Sequence, residues 1–284
     1  MWALNHSLKE GSPEYVLHVL AIDDLAYENF SHSFDQRNEN IRVHSLENLK
    51  KSDQALVSSS ENIPSYEAIN VCNGDIDKAR HMQFIWSLAP YFTWYCMESV
   101  ECEDIMYIDA DIYFFGNWTK IYDNLSDTSI GIVEHRCPYG SMNGKYNVGI
   151  VYFKSDFDGY KCLTWWKNCL LFTDNDYYST HGTCGDQKYL ELFEKLFDGV
   201  VVMDSFIGHL APWNYWHHGY TGYGQVVWDD KIQDIMYCHF SNFKPNYDEG
   251  TYLMAPRHGL SDTPHSVVKK MYDEYYQILR SFHA

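Results

Sequence analysis

The run Ile105-Met106-Tyr107-Ile108-Asp109-Ala110-Asp111-Ile112-Tyr113-Phe114-Phe115-Gly116-Asn117-Trp118 (IMYIDADIYFFGNW) decides the reading of the chain. Four apolar residues meet two carboxylates separated only by Ala110, and aromatic residues resume at Tyr113. A short apolar run rich in β-branched and aromatic residues reads as a buried strand. Two acids at its end would be heavily penalised if buried without a counter-charge. A divalent cation held by oxygen ligands is the natural partner. The bland alternative is a pair of acids on an exposed turn, since a bare D-x-D is common in any chain.

The chain has 284 residues, enough for a sizeable core. Apolar residues make up 45% of it, which marks a globular rather than a disordered protein. Aromatics reach 17%, with 24 Tyr and 9 Trp. They suit a core with polar-tipped side chains, and equally carbohydrate, whose C–H faces stack on rings. The net charge of −18 opposes phosphate backbones and anionic lipid. Nucleic acid is therefore excluded as a partner, and membrane contact is at most peripheral. The eight cysteines show no C-x-x-C pairing and read as scattered reduced thiols. The first residues, MWALNHSLKEGSPEY, have no apolar signal core, and no run reaches transmembrane length, so a cytoplasmic protein is expected.

Outward from the quoted stretch, strand and helix signals alternate. Residues 2–10 predict a helix stopped at Gly11-Ser12-Pro13, and 15–22 a strand ending in Asp23-Asp24, one of which caps the next helix. A short strand is expected at 41–46, with a helix then a loop over 47–62. The pattern from Asp75 to Met97 predicts a buried helix kinked or split by Pro90. After Trp118 come a short helix, strands at 129–133 and 147–153 joined by a Gly/Pro-rich loop over 136–146, and helices at 160–173 and 186–196. A strand at 200–203, a ring-rich loop over 207–224, a strand at 235–240 and a helix at 264–283 complete the chain. This order predicts one α/β domain.

Four segments spread over residues 75–245 carry a resemblance: YIDADIYFF, KYNVGIVYF, GDQKYL and CHFSNFKP. Their order and spacing resemble GT-A-fold glycosyltransferases, similar to retaining glycosyltransferase family 8 and related bacterial sugar transferases. The resemblance implies a Rossmann-like α/β fold with a mixed central sheet flanked by helices. It implies a nucleotide- and metal-binding half over 1–135 and a donor-sugar and acceptor half over 136–284. The activity it implies is transfer of a sugar, with retention, from a nucleotide-diphosphate sugar (a UDP-sugar foremost) to a glycan or glycolipid.

By the same resemblance Asp109, Asp111 and His239 would be metal ligands. An O,O,N set with open positions suits Mn²⁺, with Mg²⁺ as alternative. A lone His at a strand end is otherwise more often structural. Lys244 would pair with the diphosphate, although the family's Lys stands six residues after the His and here only five separate them. Asn147 and Gly149 resemble an Asn-x-Gly that faces the donor sugar; they also read as a strand-entry Asn and a bulge Gly. Asp186 and Gln187 resemble a pair at the reaction centre, or equally a helix N-terminus. Arg80 is a candidate phosphate or sugar contact, and Trp213 and Asn214 resemble an acceptor-side loop.

Family members open with a strand that holds the nucleotide base. Here the chain begins at the following helix: either the sequence is a truncated one or the protein lacks that strand, and lacking it would weaken nucleotide binding and expose a sheet face or edge. Two rival readings stand beside the transferase. One is a haloacid-dehalogenase-like phosphatase with Asp109 as nucleophile, although Ile112-Tyr113 follow where that motif favours Gly-Thr or Gly-Val. The other is a nucleotide-sugar-binding relative without catalysis.

Overall fold

Alternating strand and helix signals become alternating strands and helices. The computed structural model describes residues 1–12, 14–35, 40–137, 144–172, 185–260, 262–263 and 265–283. In chain order these form α1 (Trp2–Gly11), β1 (Leu17–Ala21), α2 (Asp24–Asp35), β2 (Ile41–Ser45), α3 (Leu46–Ser52), α4 (Gln54–Glu61), α5 (Tyr66–Val71) and α6 (Ile76–Ser99). Next come β3 (Asp104–Ile108), β4 (Ile112–Phe114), a 3₁₀ turn (Trp118–Asn124), β5 (Ile130–Glu134), β6 (Tyr146–Lys154), α7 (Phe157–Leu171), a 3₁₀ turn (Gln187–Leu192) and α8 (Phe193–Leu196). The chain ends with β7 (Val200–Val202), β8 (Gly208–Leu210), β9 (Gly219–Gly222), β10 (Gln225–Trp228), β11 (Lys231–His239), β12 (Lys244–Asn246), β13 (Thr251–Leu253) and α9 (Ser266–His283).

Two larger sheets dominate. One has the order β3-β6-β5-β7, with β6 antiparallel to both neighbours and β5 parallel to β7. The other has the order β4-β11-β10-β9, with β8 running parallel alongside β11. β1 and β2 make a separate parallel pair, and β12 and β13 a hairpin. This is the mixed α/β architecture the sequence predicts.

β6 is apolar along most of its length because both of its faces are covered. Val151 and Phe153 pack with Trp166 and Phe193 on one side, while Ile150 and Tyr152 pack with Leu4, Leu8 and Tyr237 on the other. A third cluster seats α9, with Phe240 stacked on Tyr275 at 3.8 Å between ring centroids.

Helix starts follow their caps. Asp23 accepts from the Ala26 N–H at 2.7 Å ahead of α2, and Asp75 accepts from the Lys78 N–H ahead of α6. Several local expectations need correction. Pro90 does not split α6, which runs unbroken over 24 residues. Its neighbours Leu88, Ala89 and Tyr91 are all buried, and that burial offsets the roughly 3 kcal/mol an interior proline costs. Residues 47–62 form two helices, α3 and α4, rather than a helix and a loop. The segment 207–224 contains β8 and β9, because it lies along β11 and β10. The 186–196 helix is mostly a 3₁₀ turn. Most of the loop expected over 136–146, and Pro13 and Cys184, lie outside the described residues. The described cysteines are all unbridged.

Candidate active site

The site forms where β3 hands over to β4. Asp109 follows β3, and its N–H donates to the Gly149 carbonyl on β6 at 2.9 Å. Asp111 precedes β4, whose Ile112 lies opposite His239 in the antiparallel register with β11. The Phe240 N–H closes that corner by donating to the Asp111 carbonyl at 2.9 Å. Strand pairing thus brings together side chains that are far apart in sequence.

The result is a compact triad. His239 Nε2 lies 3.0 Å from Asp111 Oδ1 and 3.5 Å from Asp109 Oδ2, and the three donor atoms all lie within 4.8 Å of one another. Tyr107 donates its hydroxyl to Asp109 Oδ1 at 2.6 Å, leaving Oδ2 toward the histidine. The Asp111 side chain is 44% exposed, so the cluster has an open side. Trp213 stands edge-on to the His239 ring at 5.2 Å. Gly149 is also packed against that ring, where a Cβ would lie 2.8 Å from Nδ1.

The electrostatics are those of a group short of positive charge. Burial pushes the Asp109 carboxyl up, against the pull of His239. Burial also opposes ionisation of Asp111, but the charge and hydrogen bond of His239 hold it below the ordinary carboxylate range. Burial alone would lower His239; Asp111 and Asp109 together hold it up. A third carboxyl, Asp186, is pushed up to about 7 by burial and by the charge of Asp109. Among the described residues no Lys or Arg ion-pairs with Asp109 or Asp111; the Met1 ammonium donates to the Ala110 carbonyl between them at 3.2 Å. Two carboxylate oxygens and one imidazole nitrogen with an open side fit a hard to borderline divalent cation.

The remaining sequence candidates divide. Asn147 holds the Gly149 N–H at 2.9 Å through Oδ1, and its amide nitrogen donates to Gln187 Oε1 at 3.4 Å. Asp186 precedes the 3₁₀ turn, and its carbonyl accepts from the Trp166 indole. Asn214 is wholly buried, accepting from the Ala211 N–H and donating to the His135 carbonyl. It acts as a loop brace, not an open contact. Lys244 is exposed at the start of β12. Arg80 is paired with Asp77 at 2.8 Å within α6 and makes no contact with the carboxylates among the described residues.

Sequence reasoning missed a polar network behind the triad. Arg136 is buried, with Nε 2.5 Å from Asp204 Oδ1, and its guanidinium also donates to the Asp204 and Ile207 carbonyls. His209 lies 3.3 Å from the same carboxylate, and Asn214 bridges toward His135, itself 3.4 Å from the Asn147 amide. One signal in the sequence could have pointed there: Asp204 follows the apolar run Val200–Met203 just as Asp109 follows its own. Tyr107, outside that network, was missed as well, although it shares the strand face of Asp109 by the two-residue period. A second cluster, His18, His44 and Cys96, brings its donor atoms equally close; its two rings stack and hydrogen-bond to each other at 3.0 Å.

No family model matches the chain. It is 26% identical over 245 residues to the uncharacterized protein YfnD of Bacillus subtilis (strain 168), covering 84% of this chain and 72% of that protein. It is 30% identical over 176 residues to YfnF of the same organism, covering 57% of each. Among solved structures it is similar to mouse xyloside xylosyltransferase 1 in its apo form, with a TM-score of 0.50, 13% identity, and 84% of this chain and 90% of that one covered. A glycosyltransferase that modifies the major capsid of PBCV-1 aligns with a TM-score of 0.43 and 12% identity, over 79% of this chain and 93% of that one. The fold is that of the GT-A glycosyltransferases. Among the described residues, no helix is long and apolar enough to cross a membrane.

Proposed function

We propose that this chain is a metal-dependent glycosyltransferase that moves a sugar from a nucleotide-diphosphate sugar, a UDP-sugar foremost, to a glycan or glycolipid acceptor with retention. The observation that carries the reading is the convergence of Asp109, Asp111 and His239 at one point of a GT-A fold. Asp109, Asp111 and His239 would hold Mn²⁺ or Mg²⁺, which when bound offsets the negative charge that builds on a departing diphosphate. The chain's own residues supply the rest. Tyr107 fixes the orientation of Asp109. The Asn147 side chain fixes the backbone of Gly149 and reaches Gln187, so the residues proposed to face the donor sugar form one connected wall. Asp186, kept partly protonated near neutral pH, can donate or accept a hydrogen bond to a sugar hydroxyl there. Lys244 is proposed to meet the diphosphate and Trp213 the acceptor side. The antiparallel pairing of β3 with β6 within this fold supports a transferase over the phosphatase reading.

The test is Mn²⁺-dependent UDP binding and UDP-sugar turnover by the wild-type chain and by Asp111→Ala. The reading expects metal-dependent turnover that the substitution abolishes while circular dichroism stays unchanged. Equal turnover in the variant removes the metal assignment. Metal-dependent UDP binding with no turnover across a donor panel replaces the enzyme with a binding protein.

A further inference from the structure

Two strands and one helix bring a second set of metal-ligating side chains together, away from the carboxylates. β1 and β2 turn alternate residues to opposite faces. On one face Val19, Ile41 and Val43 pack together; on the other, Leu20 joins the apolar layer that Leu88 and Tyr91 of α6 help to form. His18 shares the face of Leu20 by the two-residue period. The parallel register sets Leu20 opposite His44, so His18 and His44 are diagonal neighbours on that face. Cys96 joins them from α6 and is only 2% exposed.

The spacing suits a single ion. His18 Nδ1 lies 3.0 Å from His44 Nε2, and one ligand atom from each of His18, His44 and Cys96 lies within 4.8 Å of the other two. Around tetrahedral zinc, bond lengths of about 2.05 Å to nitrogen and about 2.3 Å to sulfur put two nitrogens roughly 3.4 Å apart and a nitrogen and a sulfur roughly 3.6 Å apart. Side-chain shifts of about 1 Å therefore bring all three onto one ion. Phe92 and Tyr95 stand edge-on to the His44 ring at 5.2 and 5.8 Å and hold its angle. Burial, with Arg42 adding to it, lowers His18, and burial with His18 lowers His44 to about 4. Each ring thus keeps one lone pair at neutral pH.

We propose that His18, His44 and Cys96 form a zinc site separate from the triad of Asp109, Asp111 and His239. Two imidazoles and a thiolate suit borderline-soft Zn²⁺, whereas two carboxylates and one imidazole suit a harder ion. On binding, two Zn–N bonds and one Zn–S bond form, and the Cys96 thiol proton passes to solvent. The hydrogen bond between the two rings breaks, and the ring that supplied its proton carries that proton on its other nitrogen instead. The new thiolate offsets the repulsion between the ion and Arg42. Bound zinc ties β1 and β2 to α6, a cross-link from strand pair to helix that packing alone now provides. The assignment is independent of the proposed sugar transfer, because it uses none of the same side chains.

The experiment titrates Co²⁺, a coloured stand-in for Zn²⁺, into the metal-free chain and then displaces it with Zn²⁺. The proposal expects a thiolate-to-cobalt charge-transfer band in the near ultraviolet, which the carboxylate triad cannot produce, and its loss as zinc enters. Cys96→Ala and His44→Phe should each abolish the band. Each should also weaken Zn²⁺ binding by about a hundredfold or more, at or beyond the upper end of what a lost supporting contact costs. Cys102→Ala should keep both band and affinity. No band in the wild-type chain, or a band that survives Cys96→Ala, overturns the site. Should a variant lose the wild-type circular dichroism, alkylation of the wild-type chain followed by mass spectrometry decides. With free Zn²⁺ at about ten times its Kd, Cys96 should react about tenfold more slowly, while half-buried Cys102 keeps its rate. Equal rates at Cys96 with and without zinc overturn the proposal.

Discussion

A Cβ placed on Gly149 would lie 2.8 Å from Nδ1 of His239 and 2.6 Å from Oδ1 of Asn147. The glycine on β6 and the histidine at the end of β11 are therefore fitted to each other, and the histidine ring holds its angle because nothing larger than hydrogen stands there. Gly149→Ala should turn the ring away from Asp109 and Asp111. Displaced ligand support typically costs 10- to 100-fold in metal affinity. Calorimetric titration with Mn²⁺ should show at least about a tenfold loss, with the far-ultraviolet spectrum unchanged. Wild-type affinity in this variant would separate His239 from the metal.

Asp186 offers a test in pH. Its carboxyl is raised to about 7 by burial and by Asp109, so the folded chain holds a proton that the unfolded chain releases near pH 4. The folded state loses relative stability as pH rises between those values. Asp186→Asn should therefore be more stable than wild type at pH 8, by about 1 kcal/mol or more, with no gain at pH 4. Urea melts at the two pH values measure it. In the wild-type chain, added Mg²⁺ should move the carboxyl's carbon-13 titration to lower pH.

Two of the buried histidines contribute to the acid limit. Burial lowers His135 to about 4, and burial with the nearby His209 and Arg136 lowers His218 to about 3. Both stay neutral in the folded chain while the unfolded chain takes up their protons below about pH 6.5. Stability should fall as pH drops from 6.5 toward 4, by up to about 1.4 kcal/mol per pH unit for each histidine. His218→Phe should flatten that slope in urea denaturation series; an unaltered slope would mean the ring is already charged.

Arg136 and Asp204 form a buried pair behind the site. Removing one partner leaves the other uncompensated, at a cost of about 3–5 kcal/mol. Arg136→Met should lose that much, and added salt should change the loss little because the pair is shielded from solvent. Combining it with Asp204→Leu should recover part of the loss, and simple additivity of the two in equilibrium unfolding would argue against coupling.

Much of this was legible in the chain because it is local. The apolar frame around Asp109 and Asp111 marks a strand end, and caps such as Asp23 and Asp75 announce their helices. The approach of His239 depends on β4 pairing with β11 and is not a local property; only the order of motifs suggested it. The network through Arg136, Asp204 and His209 was hidden for the same reason, since its members come from different strand ends and a turn. The split allowed for at Pro90 does not occur because burial overrides the local rule about helix breaking. Lys244 is exposed and Arg80 is half-buried and turned to Asp77, and local sequence says little about where such long side chains point.

Asp109 is the last word of one sheet, while Asp111 and His239 belong to the other, with Ala110 alone between the two carboxylates. A cation gripped by all three would act as a rivet through the seam. Each half could no longer loosen without tearing the other's ligand away. Heat should then dismantle the loaded protein in a single concerted step, and chelation should let the two halves melt out of step with each other.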